Sequence, residues 1–224
     1  MQIDLIGVFK DVWPLLLKGV GMTLEITILS LIIAMVLGVV TCLFGMSRIA
    51  PLRWISKFYV WLIRGTPMLV QALYVYFAIP QLIQVITGSD FRISHFMAGL
   101  ITLALNAGAY SSEIFRGAIN AVNKGQMEAS RSLGLSYSKT MQKVILPQAV
   151  RICLPSLVNQ FIITLKDSTI LYAIGLPELV YQAKIYVGRT LEALGTYTWV
   201  AIFFLIIISI LSYVARVFER RMKV

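Results

Sequence analysis

Residues 198–218 read TWVAIFFLIIISILSYVARVF, an apolar run whose one charged residue, Arg216, comes near its end. A helix crosses the hydrocarbon core of a bilayer with about 20 mostly apolar residues. This stretch therefore predicts a transmembrane helix. The composition agrees, since 58% of the 224 residues are hydrophobic and 13% are charged, with a mean hydropathy of +0.83. A soluble domain has about a quarter of its residues charged, so the chain is predicted to be an all-α integral membrane protein.

The same criterion selects four more stretches. The sequence predicts five transmembrane helices in all, over residues 22–44, 67–86, 96–115, 144–165 and 198–218. The second has a marked start, because Thr66 can cap a helix and Pro67 suits its first position. The fourth is interrupted by Pro147 and Pro155.

The two ends of the chain lie outside this membrane domain of residues 22–218. Residues 1–21 have no basic leader and no small-residue cleavage site, so they do not resemble a secretory signal. We expect an interfacial helix over residues 5–17 on the outer side, and a cytoplasmic tail over residues 219–224. Cys42 and Cys153 lie in apolar stretches and are expected to be buried thiols.

The net charge is +10, and the distribution of the basic residues predicts how the chain is oriented in the membrane. Thirteen Lys and Arg residues fall on the side that holds residues 45–66, 116–143 and the C-terminus, and six fall on the other side. Cytoplasmic loops carry the excess of basic residues. The N-terminus is therefore predicted outside and the C-terminus inside, and a nucleic-acid partner is excluded as the reason for the charge.

The stretch 123–147, NKGQMEASRSLGLSYSKTMQKVILP, is too polar to span a membrane. It predicts a short helix over residues 128–133, ended by Gly134, and a second helix capped by Ser136. Its apolar side chains are Met127, Leu133, Leu135 and Met141. They either pack on the chain's own membrane domain or dock a soluble partner by inserting a helix into its groove.

This stretch resembles the EAA loop of binding-protein-dependent ABC importer permeases, EAA-x3-G-x9-I-x-L-P. Glu128, Ala129 and Gly134 match it, while Ser130 and Val144 replace an alanine and an isoleucine. The resemblance implies a type I ABC importer permease fold, with residues 124–141 as the coupling helix in a cleft of the ATPase. The implied coupling residues are Glu128, Ala129, Ser130, Gly134 and Leu135.

Two further segments are similar to the polar amino acid branch of that family: RGTPMLVQ at residues 64–71 and AYSSEIFRG at residues 109–117. Trp61 departs from the branch, which often has a glutamate there. The likeness is closest to glutamine- and cystine-type permeases. It implies import of a polar amino acid, with glutamine first and cystine or a basic amino acid as alternatives.

The resemblance also implies partners and a location. The partners are a cytoplasmic ABC ATPase homodimer, a second permease chain (a copy or a close paralogue), and an extracytoplasmic amino-acid-binding protein. The location is the inner membrane of a prokaryote. The chain lacks the G-x-x-x-x-G-K-[ST] motif, so ATP and Mg are expected on the partner, with no cofactor, metal or catalytic residue in this chain.

Two other function classes are alternatives to an ABC importer permease. An intramembrane enzyme is disfavoured because His95 is the one histidine and no Ser/His pair or HExxH motif occurs. A secondary amino acid transporter driven by an ion gradient stays as the alternative, although it would not need residues 124–147.

Polar side chains inside the predicted spans are the candidates for a translocation path: Gln71, Asn106, Asn159, Gln160, Thr164, Lys166 and Asp167. They either contact the substrate or bond a neighbouring helix. Glu113 and Arg116, three residues apart, predict an ion pair at a helix end or a gate. Arg64, Pro67, Pro147 and Pro155 are expected to have structural or gating roles.

Overall fold

The computed structural model describes residues 5–222, with side chains described to residue 217. Residues 1–4 of the N-terminal segment and residues 223–224 of the predicted tail lie outside the described residues. The α-helices are α1 (Leu5–Met46), α2 (Ala50–Arg64), α3 (Met68–Leu73), α4 (Ile79–Thr87), α5 (His95–Ala121), α6 (Lys124–Ser132), α7 (Tyr137–Thr140), α8 (Leu146–Asp167), α9 (Leu179–Thr190) and α10 (Ala193–Met222). π-Helical turns join α3 to α4 and α7 to α8, and a 3-10 helix over Ser168–Ile174 follows α8.

Four helical stretches are long and apolar enough to cross a membrane. They are Leu5–Met46, Met68–Thr87, Tyr137–Ile174 and Ala193–Val217. They contain most of the first, second, fourth and fifth predicted spans. The predicted third span, 96–115, lies in α5, a 27-residue helix that is less apolar, and the count of five stays a prediction.

Helix α5 is less apolar because of how it packs. It lies against α1, α2 and α8, and its buried side chains are mostly small. They are Ala98, Gly99, Thr102, Leu103, Ala104, Asn106, Ala107, Gly108, Ala109, Ser111, Ser112 and Ala118. Small residues let helices approach closely inside a membrane. A helix enclosed in this way meets little lipid and does not need a strongly apolar surface.

Helix α1 covers both the predicted interfacial segment and the first predicted span. One helix of 42 residues continues through Pro14 from residues 5–17 into that span, and the interfacial position of residues 5–17 stays a prediction. At about 1.5 Å per residue α1 is roughly 60 Å long, about twice the thickness of the hydrocarbon core. Its first half packs against α9, and Val8, Val12 and Leu16 belong to one apolar cluster with Leu179 and Ala183 of that helix.

Both π-helical turns precede a proline in the second position of the next helix. Tyr74–Ala78 comes before Pro80, and Met141–Ile145 comes before Pro147. Proline has no N–H for the regular helical bond and crowds the preceding turn, and a π turn accommodates that disruption. Helix α8 continues through Pro155.

The start of α3 differs from the prediction. Pro67 is the N-cap residue and not the first helical residue, and no side chain caps this end. The Thr66 hydroxyl instead donates to the carbonyl of Leu62, in the last turn of α2, at 2.9 Å.

Two helices occupy stretches that the sequence left as loops. Helix α2 fills most of residues 45–66, and α9 fills part of the predicted outer loop 166–197. Both are short for a membrane span, which is why a search for long apolar runs missed them.

Candidate functional site

A polar pocket of about 370 Å³ lies between α5, α8 and the segment that joins α2 to α3. Asn106, near the middle of α5, lies on its wall, so the pocket is at the depth of the predicted spans. Its lining residues are Thr66, Pro67, Met68, Asn106, Tyr110, Gln160, Ile163 and Asp167. We call it the central pocket.

Gln71 holds the α2–α3 segment in place beside the central pocket. Its Nε2 donates to the carbonyls of Ile63 (2.7 Å) and Thr66 (3.0 Å), and to the Thr66 hydroxyl (2.9 Å). Its Oε1 accepts from Nδ2 of Asn106 at 3.1 Å. One amide therefore bonds the end of α2 and the middle of α5, which fixes Thr66 and Asn106 as neighbours.

The central pocket presents hydrogen-bond acceptors. Asn106 uses its Nδ2 on Gln71, and no donor among the side chains and backbone that the structure describes reaches its Oδ1. Gln160 donates through Nε2 to the hydroxyl of Thr164 at 3.3 Å, and its Oε1 likewise accepts no hydrogen bond from a described residue. Asp167 has no ion pair with a described residue. Two amide oxygens and a carboxylate around one cavity suit a cationic donor such as an ammonium group.

The predicted path residues divide between two faces of the molecule. Gln71, Asn106, Gln160, Thr164 and Asp167 lie in or directly behind the central pocket. Asn159 and Lys166 are exposed and do not line it. Their positions follow the helical period, because a residue next to a pocket-lining residue points about 100° away from it.

Tyr110 is a lining residue that the sequence did not single out as a site. The guanidinium of Arg64 lies 5.1 Å from the centre of its ring, a cation–π contact. A signal existed, because Tyr110 is part of the AYSSEIFRG segment. Thr66 and Met68 were also missed, because their place beside α5 depends on the bonds of Gln71.

An ion-pair cluster lies one helical turn beyond Tyr110. Glu113 binds Arg116, its partner three residues along α5, as the spacing predicted, and Nε of Arg116 lies 3.1 Å from Oε1 of Glu113. Arg64 Nη1 lies 3.7 Å from the same carboxylate. Arg64 thus contacts both Tyr110 of the central pocket and Glu113 of this cluster.

The predicted helical hairpin of the 123–147 stretch is present. Helix α6 starts earlier than predicted, at Lys124, where Oδ1 of Asn123 accepts from the N–H of Gly125 at 2.8 Å. Ser136 caps α7 as predicted, accepting from the N–H of Lys139 at 3.3 Å. Helix α7 then runs through the π turn into α8.

Gly134 ends α6 as predicted. It has φ +85°, and its N–H donates to the carbonyl of Arg131 at 3.0 Å. The N–H of Leu135 reaches back to the carbonyl of Ser130 at 3.1 Å. These two bonds define a Schellman motif, in which a left-handed residue satisfies the last carbonyls of a helix.

The hairpin has an inner and an outer side. Met127 and Met141 pack against the cluster of Ala118, Val122, Ile145, Ala149 and Cys153, which is the first of the two predicted alternatives. Ser130 is buried. Glu128, Ala129 and Gly134 are exposed, as are Leu133 (83%) and Tyr137 (55%). Part of the hairpin therefore packs on its own chain, and another part leaves apolar groups exposed.

A helical membrane chain with a polar pocket at membrane depth and an exposed hairpin has the features of a transporter subunit. Residues 30–224 match the model of the binding-protein-dependent transport system inner membrane component, and the chain belongs to that family. It is therefore the permease subunit of an ABC importer, a multi-pass protein of the bacterial inner membrane.

Similar proteins support this assignment. The chain is 40% identical to the glutamine transport system permease protein GlnP of Escherichia coli (strain K12), covering 100% of both chains. It is 36% identical to the arginine transport system permease protein ArtQ of Bacillus subtilis (strain 168), covering 100% of this chain and 99% of ArtQ. A crystal structure of an amino acid ABC transporter with histidines has a TM-score of 0.92 at 38% identity, over 99% of this chain and 100% of that one. The fold is that of a type I ABC importer permease.

Proposed function

We propose that this chain forms, with a second permease chain, the membrane path of an ATP-driven importer of polar amino acids. The observation that supports this is the central pocket, which gathers Asn106, Gln160 and Asp167 at the depth of the spans. Its two amide oxygens and unpaired carboxylate suit the ammonium group that amino acids share. Glutamine is the first substrate to test and arginine is the second. One similar permease is named for each of these amino acids.

The energy is supplied by a cytoplasmic ATPase homodimer, and this chain contributes no ATP site. In the proposed orientation the N-terminus is outside, so the hairpin of α6 and α7 faces the cytoplasm. Glu128, Ala129, Leu133 and Tyr137 form the exposed surface that an ATPase cleft would receive, while the buried Ser130 supports it from behind. An extracytoplasmic binding protein delivers the amino acid.

The two polar faces of α8 have different proposed roles. The central pocket holds the amino acid, and Asn159 and Lys166 face the second permease chain, since exposed polar groups inside a membrane usually meet a partner or water. The second chain is either an identical copy or a paralogue.

Transport in proteoliposomes tests this function. The permease, the ATPase and the binding protein are reconstituted together, and uptake of labelled glutamine and arginine is measured with ATP inside the vesicles. Uptake that requires ATP and both partners supports the proposal. Uptake that needs neither, but follows a sodium or proton gradient, contradicts it and favours a secondary transporter.

The central pocket is tested with neighbouring substitutions on α8. Asp167→Asn removes the carboxylate and is expected to raise the KM for uptake about tenfold or more, since a charged hydrogen bond is worth about 1.5–3 kcal/mol. Asn159→Ala, outside the lining, is the matched comparison, and we expect a smaller change in KM. Equal effects of both substitutions would remove the central pocket from the path.

A further inference from the structure

A second polar cavity, of about 280 Å³, lies where α1, α2 and α5 meet. It is close to the end of α1, since Thr41 and Gly45 line it and the helix ends at Met46. On α5 it is lined by Ser112, Glu113 and Arg116, just at the predicted end of the third span. With the orientation proposed above, this cavity lies at the cytoplasmic boundary of the bilayer.

The cavity retains positive charge. Residues 47–64 carry Arg48, Arg53, Lys57 and Arg64 and no acidic residue. Glu113 is the one acidic side chain in the lining, and both Arg116 and Arg64 already neutralise it. Lys57 also lines the cavity and makes no ion pair or hydrogen bond with a described side chain. An anion entering here would meet at least one free cation.

Two cationic donors are available inside the cavity. The Ser56 hydroxyl donates to the carbonyl of Thr41 at 2.9 Å, and the Ser112 hydroxyl donates to the carbonyl of Ala109 at 2.7 Å. Arg116 binds Glu113 through Nε and Nη2, which leaves its Nη1 without a partner among the described residues. Lys57 Nζ and Arg116 Nη1 are therefore two cationic groups free to donate, and both suit an anionic oxygen.

The surface around the cavity fits a bilayer. Trp54, Phe58 and Trp61 follow one another at spacings of four and three along α2, and are 72%, 60% and 69% exposed. Tryptophan is enriched at the membrane interface. A short helix with an aromatic face and a basic face is typical of segments that lie at the surface of an anionic membrane.

We propose that this cavity binds the headgroup of an anionic phospholipid, with the phosphate held by Lys57 and Arg116. The assignment rests on the proposed cytoplasmic orientation. Because Glu113 also pairs with Arg64, and Arg64 contacts Tyr110, a phosphate that draws Arg116 away from Glu113 would alter the wall of the central pocket. Anionic lipid would thereby modulate transport.

Native mass spectrometry of the intact transporter tests the site. The complex is equilibrated with phosphatidylglycerol or with phosphatidylcholine, and the bound lipid is counted. Lys57→Gln is expected to lower phosphatidylglycerol retention about tenfold, the factor for the loss of one hydrogen bond between charged groups. Arg53→Gln, one turn away on α2 and outside the cavity, is the matched control and is expected to change retention less than twofold.

Lys57→Arg keeps the charge, so we expect it to retain phosphatidylglycerol as the wild type does. This result would show that the loss in Lys57→Gln comes from the missing charge and not from a change of the wild-type side chain as such. Equal losses in Lys57→Gln and Arg53→Gln would indicate generic surface attraction and overturn the site. Equal retention of phosphatidylcholine and phosphatidylglycerol would also overturn it. ATP-driven uptake measured on the same samples separates this result from the transport function: a transporter without uptake but with selective retention contradicts the function and not the lipid site.

Discussion

Asn106 donates its side-chain amide to Oε1 of Gln71 across 3.1 Å, and this bond joins the middle of α5 to α3. Gln71 in turn donates to the carbonyl of Ile63, in the last turn of α2, and to that of Thr66, in the linker between α2 and α3. The position of Thr66 and Pro67 beside the central pocket therefore depends on two amide side chains that are 35 residues apart in the chain.

Asn106→Ala is expected to destabilise the protein by about 1–3 kcal/mol, because Oε1 of Gln71 loses its donor in a partly buried site. Thermal unfolding in detergent measures this. Asn120→Ala is the control, since Asn120 is exposed on the same helix. If the two variants unfold at the same temperature, the Asn106–Gln71 bond contributes nothing measurable.

Substitution of Gly19 tests the contact between α1 and α9. A Cβ at this position would lie 2.6 Å from Cα of Leu179, so Gly19→Ala must push the two helices apart. We expect a loss of about 1–3 kcal/mol in the free energy of unfolding. Gly21→Ala, two residues along the same helix, meets nothing within 4 Å and should be neutral or stabilising. A reversed order of the two variants would contradict this packing.

Substitutions of Gly134 test whether the conformation that ends α6 matters for docking. No atom would crowd a Cβ at this position. Its φ of +85° is, however, a left-handed conformation that would strain most other residue types placed there. Gly134→Val is expected to disturb the Schellman motif and weaken ATPase binding, whereas Gly134→Asn, which tolerates the left-handed conformation, should retain most of it. Co-purification of the ATPase with each variant measures the effect. Equal ATPase recovery with both would show that the backbone conformation is not needed for docking.

Glu178 predicts a pH dependence of stability. It is fully buried and caps α9, accepting from the N–H groups of Val180 (2.8 Å) and Tyr181 (2.7 Å). Burial raises the pKa of this carboxyl from 4.5 to about 7, although the two backbone bonds oppose the shift. Between these values the folded state holds a proton that the unfolded state has released. Stability should therefore fall as the pH rises through this window, by up to about 3 kcal/mol.

Melting temperatures of wild type and Glu178→Gln between pH 5 and pH 8 check this sign. Glutamine keeps an acceptor for the cap but does not titrate, so the variant should lose most of the pH dependence. Glu192→Gln is the control, since the Glu192 carboxylate accepts no hydrogen bond from a described residue. A wild type that gains stability as the pH rises would contradict the account.

The sequence predicted the membrane class because apolar runs near 20 residues long have few alternatives. It also predicted the hairpin, whose local signals are Ser136 as a cap and Gly134 as a stop. It could not predict α2 and α9, which are too short to stand out as spans. It left open whether Met127 and Met141 pack on their own chain or dock a partner, because which side of a hairpin packs depends on residues of the membrane domain that are distant in sequence.

The sequence by itself determined the family, the approximate spans and the motif residues, since these follow from local composition and spacing. Tertiary structure alone decided that Asn106, Gln160 and Asp167 surround one cavity while Asn159 and Lys166 lie outside it. It also decided that Tyr110 and Thr66 belong to the same wall. The physical reason is that a pocket between helices is defined by their rotation and depth. These depend on contacts between residues far apart in the chain, such as that of Gln71 with Asn106.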